Sequence, residues 1–195
     1  MQNINDITVR QENKMDYELP KPGMVNAICC GIWNIGLQRV EYMGNVKYRK
    51  KIALGFILDQ KSSKTGLPII QYETAVLSLF DKSKLYGIIQ SWTSKSIPEE
   101  DRPNYDLTPF VGKRATLNLV QDNEYVNIDA VLPAQESNKV EMVDLFDGEV
   151  HPFVKKMLEK STQAALEKEA LEKNEHVNLS DIKPSKSEES EKAPF

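Results

Sequence analysis

Gln38-Arg39-Val40-Glu41-Tyr42-Met43-Gly44-Asn45-Val46-Lys47-Tyr48-Arg49-Lys50-Lys51 reads as two strand arms meeting at a Met-Gly-Asn turn. A strand sends alternate side chains to opposite faces. Lys47, Arg49 and Lys51 therefore share one face, and Tyr48, Ile52, Leu54, Phe56 and Leu58 share the other. The second set is expected to be core. The first is a cationic row suited to a polyanion.

Outward from this hairpin the pattern stays largely β. Pro20-Lys21-Pro22-Gly23 is a boundary, because proline and glycine interrupt regular structure. A first strand is expected from Met24 to Tyr42, with a bulge or bend at Asn34 to Gly36. The second strand runs from Asn45 to about Leu58, a polar loop spans Asp59 to Gly66, and a third strand runs from Pro68 to about Leu79. Asp81 then reads as a helix cap. Leu85, Ile88, Ile89 and Trp92 follow at i, i+3, i+4 and i+7, the stripe of a helix packed on a core. Glu99 to Thr108 reads as a loop. Ala115, Leu117 and Leu119 alternate with Arg114, Thr116 and Asn118 in a fourth strand, and a turn at Gln121 to Glu124 leads to a fifth from Tyr125 to Leu132.

Strand, strand, strand, helix, strand, strand is the order of the OB-fold, a five-stranded Greek-key barrel. The chain is thus expected to be mainly β, with a flexible arm over 1–19 and the barrel over 20–133. An acidic linker and a helix occupy 134–174, and a disordered acidic tail occupies 175–195. The helix is expected from Phe153 to about Lys173, with Val154, Leu158 and Ala165 on one side. It either packs on the barrel or mediates self-association into a homo-oligomer.

The chain of 195 residues has 28% charged and 40% apolar residues and a net charge of −4, ordinary for a globular protein. The mean conceals an asymmetry. Basic residues dominate from Lys21 to Lys64, where only Glu41 and Asp59 oppose them, and acidic residues gather towards the C-terminus. Adjacent Cys29 and Cys30 cannot form an ordinary bridge with each other and fit a reducing compartment. Neither a secretory signal nor a run long enough to cross a bilayer is visible, so a cytoplasmic location is expected.

Catalysis finds little support. His151 and His176 have no metal-ligand spacing around them, no nucleophile motif occurs, and no glycine-rich phosphate cradle is present. Asp59, Glu73 and Asp129 read as solvated strand ends. No enzyme activity and no cofactor or metal is expected.

Single-stranded nucleic acid is held by cations that follow the phosphates and by rings on which bases stack. Lys47, Arg49 and Lys51 fit the first role, joined by Lys50, Arg39 and Arg114. Tyr42, Tyr72, Tyr125 and Trp33 are candidates for the second, although Trp33 reads equally as core. The plainer alternative is a solvated strand edge whose lysines block unwanted pairing. At the other end, Ser187-Glu188-Glu189-Ser190-Glu191-Lys192-Ala193-Pro194-Phe195 is an acidic tail closing on an aromatic residue with a carboxylate. Glu188, Glu189, Glu191, Pro194 and Phe195 suit a small apolar pocket ringed by basic residues; the plainer alternative is a solubilising tail.

Between Pro20 and Leu132 several short stretches occur in a shared order. They are Pro22-Gly23, Tyr42-Met43-Gly44-Asn45 followed by basic residues and Ile52 to Leu58, Leu77-Ser78-Leu79, Lys82 to Leu85, Ser91-Trp92, Asp106-Leu107, Val111-Gly112-Lys113, Leu117-Asn118-Leu119 and Tyr125 to Ile128. In these the chain resembles phage-encoded single-stranded DNA-binding proteins of OB-fold type. The C-terminal stretch is similar to the acidic tip of such proteins, although Lys192 interrupts its acidic run and Ala193 stands where a larger apolar residue is usual. The resemblance implies sequence-tolerant coating of single-stranded DNA in phage replication or recombination within an infected bacterial cell. It also implies recruitment of replication or recombination proteins through the tip. The rival expectation is an OB-fold adaptor for a host or phage protein, or for RNA.

Overall fold

The computed structural model describes residues 18–180, which fall into two compact units. One comprises 18–32, 54–73 and 78–143, and the other comprises 33–53, 74–77 and 144–180. Seven elements follow in order: β1 (Gly23–Tyr42), β2 (Asn45–Lys61), β3 (Pro68–Val76), α1 (Lys84–Thr93), β4 (Arg114–Asp122), β5 (Tyr125–Pro133) and α2 (Pro152–Ser180). The stretch expected to be a loop after α1 contains two short 3-10 turns, Glu99–Asn104 and Thr108–Phe110.

The strands form one antiparallel sheet in the order β3-β2-β1-β4-β5. β1 pairs with β4 from Gly23↔Leu119 to Ile28↔Arg114, and β4 pairs with β5 across an irregularity at Asn118/Leu119. Backbone pairing does not continue from β3 to β5, so the sheet is open. A side chain spans that gap: Gln71 Nε2 donates to the Val126 carbonyl at 2.6 Å.

In the first unit the core gathers on Trp92. Its ring lies 5.5 Å from that of Phe56 and 5.0 Å from that of Phe110, and its indole N–H donates to the Arg114 carbonyl at 2.9 Å. A buried indole needs such a partner. Leu85, Ile88 and Ile89 are buried beside it on α1, as their spacing predicts. The cap differs from expectation. Ser83, extended at φ −81°, accepts from the Tyr86 N–H, while Asp81 pairs with Arg102 at 2.8 Å. Helix φ/ψ begins only after Ser83, so Asp81 stands too far upstream to reach an orphan N–H.

Asn138 holds the irregular segment after β5. Its side-chain amide donates to the carbonyls of Ala27 and Ala115, at 3.0 and 2.9 Å, and its Oδ1 accepts from the Val140 N–H at 3.0 Å. Ala27 and Ala115 are direct partners across β1 and β4, so one side chain ties this segment to both strands. Ile57, on the side of β2 opposite Phe56, is buried and lines a groove together with Val140. Cover on both sides explains why Leu54–Leu58 is buried without interruption, where strict alternation predicts every second residue exposed.

The second unit is built on Ile35, Ala53 and Val154, with Trp33, Phe153 and Met157 packed around them. Here β1 and α2 approach closely. Gly36 has φ 69°, its N–H donates to Asn34 Oδ1 at 2.9 Å, and the next N–H, of Leu37, donates to Ser161 Oγ at 2.8 Å. Gln38 Nε2 donates to the carbonyls of Ile35 and Met157. The expected bend is therefore present, and it sets the face of α2. Val154 and Ala164 are buried with Met157 and Ser161 between them, whereas Leu158 is 42% exposed and Ala165 is also exposed. The stripe expected through Leu158 and Ala165 is thus displaced around the helix by the contact at Ser161. α2 also continues to Ser180, past Lys173 and into the stretch expected to be disordered from Glu175. Pairs of Lys168 with Glu172 and of Glu169 with Lys173 support the polar turns just before that extension.

Two substitutions test these contacts by urea unfolding. Gly36→Ala brings a Cβ against the Ser161 side chain and strains φ, and is expected to destabilise by at least about 2 kcal/mol. Asn138→Leu removes bonds from two buried carbonyls and one half-buried N–H, with an expected loss of about 1–3 kcal/mol.

Candidate nucleic-acid interface

The β1–β2 hairpin turns through two residues, Met43 at φ 48° and Gly44 at φ 76°. Two successive left-handed residues make the turn whose twist matches that of paired strands. Beyond it Lys47, Arg49 and Lys50 are exposed and Lys51 is half-buried. Among the described residues none of these four forms an ion pair. The last residues of β3 continue beside them, since the Leu77 N–H donates to the Lys50 carbonyl at 2.9 Å. Tyr48 is half-buried and its hydroxyl lies 3.4 Å from Glu167 on α2. Tyr42 is 71% exposed at the end of β1. Arg39 pairs with Glu41 at 2.9 Å, which offsets part of its charge.

Arg39, Tyr42, Lys47, Arg49, Lys50 and Lys51 thus belong to one unit, and Tyr72, Arg114 and Tyr125 belong to the other. In that second group, Tyr125 is exposed and Tyr72 half-buried. Arg114 Nε donates to the Val140 carbonyl at 3.0 Å. Arg114 also lines a groove of about 670 Å³ with Lys113, Trp92, Thr93 and Pro133. The Lys113 ammonium stands 5.1 Å from the Phe110 ring centre and 5.9 Å from that of Trp92. Sequence reasoning passed over Lys113, although Lys113-Arg114 beside a strand start is a legible cationic pair. It also named Met43 only as a turn residue. Trp33 packs within its own unit, 4.6 Å from the His151 ring, and His151 stands 4.3 Å from Phe146. Burial lowers the His151 pKa from its ordinary value, and Asp144 partly opposes the shift.

Elsewhere the chemistry is sparse. Among the described residues no group of three or more His, Cys, Asp or Glu is placed to hold a metal ion. None of the described helices is long and apolar enough to cross a membrane. The acidic tip, Glu188, Glu189, Glu191, Pro194 and Phe195, lies outside the described residues. No protein-family model, curated protein or solved structure matches the chain.

Cys29 and Cys30 are both pushed up to about 12, chiefly by burial. The thiolate is the reactive form, so both thiols are protonated at neutral pH and act as packing groups. A disulfide reagent at pH 8 is expected to react slowly with the native protein and rapidly with both thiols once urea unfolds it. Equal rates in the two states would contradict this burial.

Proposed function

We propose that the chain is a non-enzymatic single-stranded DNA-binding protein that coats its substrate with little regard to sequence. The observation that carries the reading is the run Lys47, Arg49, Lys50 and Lys51, cationic along one strand and without ion-pair partners among the described residues. Unneutralised positive charge in a row is what a phosphate backbone requires, and exposed Tyr42 in the same unit offers a stacking face. An OB-fold is the architecture we assign. The strand order β3-β2-β1-β4-β5 is that of a Greek-key barrel opened between β3 and β5, and Gln71 bonds to Val126 across the opening. The resemblance over Pro20 to Leu132 supports a place in phage DNA replication or recombination, in the cytoplasm of an infected bacterium. In that setting the C-terminal tip would recruit partner proteins.

Binding is tested by anisotropy titration of a labelled thymidine oligomer against a duplex of equal length at several salt concentrations. Affinity for the single strand should fall with salt at a log–log slope of about −0.7 per phosphate contact. Replacing Lys47, Arg49 and Lys51 together by Glu should abolish binding at moderate salt, and replacing them by Gln should flatten the slope by about 2 (three contacts at 0.7 each). Unchanged binding in both variants would remove these three residues from the interface, and a native chain that binds neither oligonucleotide would favour an adaptor whose partner is a protein.

A further inference from the structure

The turn between β1 and β2 holds an apolar residue at a position that penalises it twice. Met43 has φ 48°, a left-handed conformation that strains an L side chain other than Asn or Asp. Its side chain is also 83% exposed, so no packing offsets that strain. A loop needing only to reverse the chain is best served by Asn-Gly. This sequence has the asparagine nearby, at Asn45, where its side-chain amide lies 3.5 Å from the Met43 carbonyl. Strain retained at an exposed position is a mark of function.

The surroundings define the ligand. Tyr42, the next residue back, is itself largely exposed, and Lys47, Arg49 and Lys50 follow on the strand leaving the turn. A protein pocket for an apolar knob would also have to match these cations with acidic groups. A polynucleotide supplies both needs, phosphates for the cations and a base step for the knob. In proteins that kink duplex DNA, methionine is among the apolar side chains that wedge between base steps and unstack them, and adjacent bases of a single strand offer the same kind of step. We propose that Met43 inserts between adjacent bases of the bound strand and breaks their stack, while the Tyr42 ring covers an exposed base face. The wedge rests on the nucleic-acid reading above and adds that the strand is distorted where the hairpin tip meets it.

The test uses the full chain and a single-stranded oligonucleotide with 2-aminopurine between two adenines, whose fluorescence rises when its neighbours unstack. At saturation in dilute buffer, the native chain should raise the signal severalfold. Met43→Asn, which suits the left-handed turn and should melt no lower than the native protein, should give less than half that gain at its own saturation. Lys47→Gln should need more protein to saturate yet reach the native gain. A native chain that binds without a gain, or a Met43→Asn variant that reproduces it, would overturn the wedge and leave the binding function standing. Absence of binding to this oligonucleotide and to a thymidine oligomer would remove both.

Discussion

Ile52–Leu58 is an unbroken apolar run in β2, and every residue of it is buried. A strand of this kind requires cover on both of its faces, and much of the remaining sequence supplies that cover. Within one unit, Phe56 meets Trp92 of α1, and Ile57 is buried and lines a groove with Val140 of the segment that Asn138 holds. Within the other, Ala53 packs with Val154 of α2. Apolar area removed from water stabilises at about 25 cal/mol per Å². A run of large side chains that is hidden on one side only would forfeit roughly half of that gain.

The same strand carries the cationic residues. Lys47 to Lys51 directly precede the apolar run, so the backbone that anchors β2 in the core also fixes the spacing of its charges. A rigid strand holds cations at intervals of about 6.6–6.8 Å on one face. Such a row can follow successive phosphates without first paying the entropy of ordering a loop. The left-handed Met43-Gly44 turn extends this logic, because a two-residue loop leaves its side chains little freedom to retreat from solvent.

Local signals were dependable wherever one surface of an element decided its burial. Leu85, Ile88, Ile89 and Trp92 are buried on α1, as their period predicts, whereas on β4 Thr116 is buried along with Ala115, Leu117 and Leu119, so the expected alternation is broken there. The bend at Asn34 to Gly36 was legible because asparagine and glycine form it through a bond between neighbours. Asp81 misled because the residues that favour a helix cap do not say where helical dihedrals begin, and Ser83 lay closer to the first turn. On α2 the choice among Val154, Leu158, Ala164 and Ala165 was ambiguous, since several stripes on a polar helix carry a similar scatter of apolar residues. The candidate cations and rings were individually visible, but their division between two units was not.

The amino-acid sequence alone was sufficient for the number and order of strands, the helix between β3 and β4, and the charge row on β2. Each of these follows from residues within a few positions of one another, through side-chain period and turn chemistry. Only the tertiary structure decided which stripe of α2 is buried, that Asn138 joins β1 to β4, and that Arg114 is bonded to Val140. Those outcomes depend on groups distant in the chain whose hydrogen bonds and volumes must be satisfied together, and no local pattern encodes which distant partner will be present.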